Sequence, residues 1–197
     1  MSRQPQKRRL ETRAKLLEVT SALVASEGYS GLKVEDVVKR AGVAKGTLFS
    51  HFRDKDGLLA VLIGAEVMRF LDEMEAEGTP DSREALLQRL APLLDYIAGD
   101  RVIFDLLLRY SGSTGTETDE VITESFYRQI GIWAAWIEAL QKAGEVRSDC
   151  APDFLAEGIQ AFLNQVIAIW FCMSSPNTAT PLEALRPFLE AWLAPPA

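Results

Sequence analysis

The sequence predicts an all-α fold of about nine helices, three in a small N-terminal unit and six in a larger body. Apolar residues recur at helical spacing in almost every segment, and no alternating run bounded by turn signals reads as a strand. At 197 residues and 48% hydrophobic, the chain is long and apolar enough to bury a substantial core. The charge is unevenly divided. Residues 1–55 hold 12 Lys and Arg against 6 Asp and Glu, whereas the remaining 142 hold 9 against 22, so a positive unit is attached to a negative body within a net charge of −7. Only the first part is suited to a polyanion.

A first helix is expected over about 8–27, with Leu10, Ala14, Leu17 and Val24 as its buried stripe and Gly28 ending it in the left-handed conformation. A short second helix, about 34–41, buries Val34, Val37, Val38 and Ala41. Gly42 makes the turn into a third, about 45–52. Asp54 caps a fourth, in which Leu58, Leu59, Leu62, Ile63, Val67, Phe70, Leu71 and Met74 trace a broad apolar stripe to about residue 76. Further helices are expected at 82–98, 101–110, 118–143, 152–174 and 182–193. Their separators are Gly99-Asp100, the loop 111–118, Gly144 to Pro152 and the loop 174–181.

Several function classes are disfavoured. The basic start "MSRQPQKRRL" lacks the apolar stretch of a signal peptide, so a cytoplasmic location is expected. The greasiest run, Gly158 to Met173, falls short of the roughly 20 residues of a membrane span and carries Gln160, Asn164 and Gln165, so a buried helix and no membrane partner are expected. Cys150 and Cys172 read as reduced structural thiols, with no metal-ligand spacing around them. One histidine, no nucleotide-binding glycine motif and no cysteine-histidine pairing leave no constellation for catalysis, and no cofactor is called for.

The stretch "AGVAKGTLFSHFRDK", residues 41–55, is a short helix, a glycine turn and a second short helix, the unit that lays its second helix in the major groove. Seven helical residues span on the order of 10 Å, comparable with the roughly 12 Å groove. Leu48 and Phe52 should point inward with Val43, leaving Lys45, Gly46, Thr47, Phe49 and Ser50 outside. Lys45 can donate to guanine or phosphate, and Thr47 and Ser50 to base edges or phosphates. Gly46 lets the backbone approach the duplex. Phe49 is either core or a contact to a thymine methyl or sugar. His51 is structural or a phosphate contact rather than a catalyst, and Lys55 stands where helix-start amides also favour anions. Arg3, Lys7, Arg8 and Arg9 form a loose arm that either enters a minor groove or only adds attraction.

The stretch from 12 to 59, and above all "AGVAKGTLFSHFRDKDGLL", resembles the tetracycline-repressor (TetR) family of bacterial regulators. The resemblance implies an all-helical homodimer. Its residues 1–55 would be a helix-turn-helix DNA-binding domain and its residues 56–197 a ligand-binding and dimerisation domain, with the last two helices pairing between subunits. It places the DNA contacts on Lys45, Gly46, Thr47, Phe49, Ser50, His51 and Lys55. Two positions depart from the pattern. Lys33 replaces a threonine that caps the second helix and touches phosphate, and Ala44 replaces a capping serine; a lysine can still meet phosphate, but each lost cap costs about 1 kcal/mol.

In the body, Phe104, Tyr110, Tyr127, Trp133, Phe162 and Trp170 are candidates to line an apolar cavity, with Gln129, Asn164 and Gln165 as polar handles, for a small hydrophobic or aromatic effector. The helix at 152–174 is apolar on more than one face, so a partner copy is expected there. Gly158 and Ala161 would permit close approach, and Leu182, Leu185, Phe188, Leu189 and Trp192 would form the matching stripe. The function expected is a dimeric, ligand-released repressor of a pseudopalindromic double-stranded operator. The alternative is a DNA-binding dimer without a small ligand.

Overall fold

The computed structural model describes residues 3–111, 118–172 and 179–195, with side chains from Gln6 onward. Among them are nine helices and no strand: α1 (Arg3–Gly31), α2 (Val34–Ala41), α3 (Lys45–Phe52), α4 (Lys55–Ala76), α5 (Arg83–Gly99), α6 (Arg101–Tyr110), α7 (Glu120–Lys142), α8 (Pro152–Cys172) and α9 (Pro181–Leu193). The loops expected at 111–118 and 174–181 lie largely outside the described residues.

The helix starts have identifiable causes. Asp54, Ser82, Asp100 and Asp119 each accept a backbone N–H from the first turn of the helix they precede, and Thr180 forms a reciprocal capping box with Glu183. α2 and α3 lack such help. Neither Lys33 nor Ala44 makes a side-chain cap, as their residue types dictate. α2 ends where Gly42 turns left-handed (φ 67, ψ 37), which sets α3 across it.

α1 differs from expectation in three ways. It begins at Arg3, so Lys7, Arg8 and Arg9 lie in a helix rather than a loose arm; the side chain of Arg3 lies outside the described residues. Its buried face is Leu16, Thr20 and Leu23, one position out of phase with the expected stripe, and Leu10 is 62% exposed. Thr20 belongs to the core because its hydroxyl donates to the Leu16 carbonyl at 2.7 Å, which satisfies the one polar group it would otherwise strand. Gly28 does break the helix, but at φ 75 and ψ 168, a region essentially closed to other residues and not the left-handed helical one.

The body is a closed circuit. α4 packs on α7, α7 on α8, α8 on α9, α9 on α5, α5 on α6, and α6 back on α4. The first three helices join it through α4 and through α1, which touches both α4 and α6. At 21 residues, α8 extends beyond the apolar run Gly158 to Met173, and by length and composition alone it could cross a membrane, with a mean hydropathy of 1.3. It is also not a wholly buried helix. Leu155, Ala156, Ile159, Gln160, Leu163, Val166 and Ile167 face inward, whereas Phe154, Ala161, Gln165, Ile169 and Cys172 form an exposed stripe at spacings of three, four and seven residues.

Candidate nucleic-acid interface and internal cavity

The i,i+4 rows of α3 have separate surroundings. Leu48 and Phe52 are buried, at 0% and 5% exposed, with Arg13 over the Phe52 ring at 4.8 Å from its centroid. Thr47 and His51 flank this row on the side of α1. Lys45 and Phe49 flank it on the side of α2, where the Lys45 ammonium meets Glu35 Oε1 at 2.7 Å and also lies over the Phe49 ring. Gly46 and Ser50 form the outermost row. A Cβ at Gly46 would meet nothing within 4 Å, so the fold itself does not require glycine there. Phe49, at 38% exposed, belongs to the surface and not to the core. Lys33 is exposed beside this face, and Lys55 is half-buried at the start of α4.

Between the N-terminal part of α1 and one side of α3 lies an open cleft lined by Lys7, Arg8, Arg9, Glu11, Thr12, Thr47 and His51. Burial, with the positive charges of Arg9 and Arg13 nearby, holds the His51 imidazole below its usual 6.5. An unfolded chain lacks that effect and takes up the proton first. Stability is therefore complete above the ordinary histidine value and declines as pH falls through the lowered one. His51→Gln is expected to remove this decline: urea midpoints of wild type and variant should separate in the variant's favour between pH 7.5 and 5.5, and equal slopes would refute the assignment.

α3 leaves through a strained connection. Arg53 adopts φ 66 and ψ −53, so Asp54 N–H donates to the Phe52 carbonyl at 2.7 Å across a γ-turn of the rare positive-φ kind. Arg53 Nη2 donates to the Tyr110 hydroxyl at 3.3 Å, and Arg109 pairs with Asp56 at 2.7 Å, so the end of α6 is fixed to the α3–α4 junction. The start of α6 is fixed too. Asp100 accepts from Ser30 N–H at 3.1 Å, from the Ser30 hydroxyl at 2.8 Å and from Val102 N–H. Against the opposing effect of burial, these bonds hold its carboxyl below the usual range. The Tyr29 and Tyr96 hydroxyls, 2.7 Å apart, add a tie from α1 to α5.

The middle of α6 lines an internal cavity with Phe104, Leu107 and Leu108. Val67, Ile97 and Phe126 complete its apolar wall, and Ser125, Gln129, Gln160 and Asn164 supply the polar part. Gln129 Nε2 donates to Gln160 Oε1, and Gln160 Nε2 to Asn164 Oδ1 at 3.0 Å, a directional row of amides with no charged residue in the lining. The free volume is about 20 Å³, room for about one water molecule.

Of the aromatic residues expected to bind a ligand, Phe104 lines this cavity and the others do not. Tyr127 is 75% exposed, pointing to solvent from the outer face of α7. Tyr110 is buried, but its hydroxyl is engaged by Arg53. Trp133 is fully buried in the core, with its indole N–H unpartnered among the described residues. Trp170 is half-buried outside the lining, and Phe162 stacks on Phe188, ring centroids 5.5 Å apart, between α8 and α9. Gln129 and Asn164 are in the lining as expected handles, but Gln165 is exposed on the far side of α8. Gln160 had no signal beyond being a polar residue in an apolar run.

The expected interface residues divide as well. Leu185 and Leu189 are buried within the subunit, at 0% and 1% exposed, and so cannot meet a partner. Gly158 is occupied from inside: a Cβ there would fall 2.4 Å from the Trp192 indole, whose N–H donates to the Leu155 carbonyl. Ala161 is exposed, as are Phe154 (53%), Ile169 (46%) and Phe188 (44%). These residues cluster, because Phe154 and Phe162 both abut Trp192, at centroid distances of 5.3 and 5.7 Å.

The family model described as "Bacterial regulatory proteins, tetR family" matches residues 16–62. An uncharacterised HTH-type transcriptional regulator of Mycobacterium tuberculosis is 30% identical over 147 residues, covering 73% of this chain and 72% of the relative. The HTH-type transcriptional repressor DhaR of Mycobacterium sp. is 27% identical over 161 residues, 76% of this chain and 77% of that one. The crystal structure of the regulator FadR from Bacillus subtilis with stearoyl-CoA superposes with a TM-score of 0.65 at 18% identity, covering 91% of this chain and 97% of that chain.

Proposed function

Because the chain belongs to the TetR family of bacterial regulatory proteins, we propose that it is a homodimeric repressor that binds a pseudopalindromic operator and is released from it by a mainly apolar effector. The observation that carries this is α3: a short helix held by Leu48 and Phe52, presenting Lys45, Gly46, Phe49 and Ser50 outward beside a cleft of cations. The first 55 residues are then the DNA-binding domain and the rest the sensing and dimerisation domain.

α6 supports the coupling between the two. It is tied to α1 at Asp100 and to the α3–α4 junction at Arg109 and Tyr110, and between those ties it lines the cavity. An effector too large for about 20 Å³ enters only when α6 moves, and that motion loads the ties. The ligand thus prefers a state in which α3 is displaced, which is what a population shift requires. The uncharged wall favours a ligand whose buried part is neutral, since an unpaired carboxylate taken out of water costs several kcal/mol. The stearoyl-CoA of the FadR neighbour suggests an acyl chain, whose thioester carbonyl would suit the amide row.

The test is selection of bound duplexes from a random pool, followed by titration with C12 to C18 acyl-CoAs and the matching free acids. Two inverted half-sites about 34–36 Å apart or somewhat more are expected, released by acyl-CoAs and not by the acids. If no duplex is enriched, the repressor assignment fails. If the duplex is held unchanged and no compound shifts the melting temperature, the narrow cavity is a packing defect, and a DNA-binding dimer without a small ligand is the correct function.

A further inference from the structure

We propose that Glu35 and Lys45 act as one reading unit, in which the carboxylate at the start of α2 withholds the ammonium from phosphates and directs both groups onto a G·C base pair. This rests on α3 being the recognition helix and adds to it a specificity-determining residue from a different helix.

The turn at Gly42 sets α3 across α2 and brings residues 35 and 45 together. Lys45 Nζ donates to Glu35 Oε1 at 2.7 Å, and the ammonium also lies over the Phe49 ring, 5.8 Å from its centroid. The two side chains are 53% and 69% exposed, and an ion pair so exposed contributes little to folding. Nor does α2 depend on Glu35 in particular. Its uncapped start favours an acid in the first turn, but Asp36 shares that turn. What remains is the effect on Lys45.

Two opposite charges 2.7 Å apart offer a phosphate almost no net attraction, so the pair is a poor anchor on the backbone. At a base edge the same arrangement is apt. The ammonium supplies donors only and the carboxylate acceptors only. Its bond from Lys45 holds the Glu35 carboxyl below the usual range, so it is an acceptor throughout neutral pH. A G·C pair presents two acceptors, guanine N7 and O6, beside one donor, the cytosine N4 amino group, so each half of the unit meets its complement. An A·T pair places its donor between two acceptors. When the carboxylate takes that donor, the ammonium reaches one acceptor and the other lies against the carboxylate.

The experiment uses the full-length chain with the selected operator and with a random duplex. It compares wild type with Glu35→Ala, Lys45→Ala and a control, Asp36→Ala, which removes an equal charge from the same turn of α2. Each operator position is replaced in turn by the other three base pairs. Wild type should lose roughly 10-fold or more in affinity when one G·C pair of the half-site is changed. Glu35→Ala and Lys45→Ala should both lose that preference and keep those elsewhere, and Asp36→Ala should keep them all. On the random duplex, Glu35→Ala should bind more tightly than wild type, because the released Lys45 takes a phosphate. Its log affinity should then fall against log salt about 0.9 more steeply per bound subunit, an extra weakening of about 3.5-fold per subunit between 50 and 200 mM, while Asp36→Ala shows the wild-type slope. A Glu35→Ala chain that keeps the wild-type preference at every position, loses it at a different position from Lys45→Ala, or has the salt slope of Asp36→Ala overturns the proposal even when operator binding itself stands. Failure of wild type to bind any duplex overturns the assignment of α3 along with it.

Discussion

Replacing Gly57 by alanine is expected to lower operator affinity at least 100-fold and stability by about 3 kcal/mol, while the helices of the body remain formed. A Cβ at this position would fall 2.3 Å from the Phe52 carbonyl oxygen and 3.3 Å from Asp54 Oδ1. The first contact cannot be relieved by a side-chain rotation. The Phe52 oxygen is backbone, fixed as the acceptor of Asp54 N–H inside the γ-turn at Arg53, which is already strained by its positive φ. The α3–α4 junction must therefore open, and the Asp54 cap, whose Oδ1 accepts from Gly57 N–H at 2.7 Å, opens with it. Overpacking costs about 1–3 kcal/mol and the cap about 1 more. The same displacement tilts α3 relative to α4, and two such tilts in a dimer alter the separation of the recognition helices, so the affinity loss exceeds what stability alone predicts.

Two measurements separate these effects: thermal unfolding followed by far-ultraviolet circular dichroism, and operator titration at a temperature where the variant is fully folded. Gly46→Ala is the folding control, since its Cβ enters open space and helix propensity then favours alanine by about 1 kcal/mol. A Gly57→Ala chain that binds operator within threefold of wild type would show that the junction does not set the aim of α3.

Much of this junction was legible in the sequence, because its signals are local. Gly42, the apolar pairs of α2 and α3, and Asp54 all lie between Val34 and Asp54, and each acts on its own neighbours. What escaped was set at a distance or by an exception to residue type. Ser30 meets Asp100 across 70 positions, and Arg53 meets Tyr110 across 57, so no periodicity reports them. Thr20 entered the core through a bond to its own helix, which shifted the apparent face of α1. Of the aromatic residues predicted for the cavity only Phe104 lines it, the other large rings filling core or surface, whereas two of the three predicted amides, Gln129 and Asn164, do line it. An apolar pattern gives a helix its buried stripe but not the identity of what covers it, and for that reason the stripe of α9 predicts a partner contact at Leu185 and Leu189, which are buried within their own subunit.

The exposed part of that surface carries the second large effect: Phe154→Glu with Phe188→Glu is expected to yield a monomer that loses 100-fold or more in affinity for the full operator. Phe154, Ala161, Gln165 and Ile169 on α8 and Phe188 on α9 present a continuous face that no other described element covers. A second copy related by a two-fold axis would bury it as a four-helix arrangement. α8, at 21 residues, is about 31 Å long and α9, at 13, about 20 Å, enough for the 1,200–2,000 Å² that stable interfaces bury. Each glutamate is tolerated by the isolated subunit, since both rings are already about half exposed. In the dimer, four carboxylates would be taken out of water without partners, at several kcal/mol each. Losing the dimer removes the linkage between two half-site contacts, and such linkage contributes 10²–10⁴ in affinity. Light scattering after gel filtration at tens of micromolar should give the mass of one chain, with an unchanged melting profile, and binding to an isolated half-site at low salt should persist. A variant that still elutes as a dimer places the interface elsewhere, and a monomer that holds the full operator as tightly as wild type breaks the link between pairing and binding.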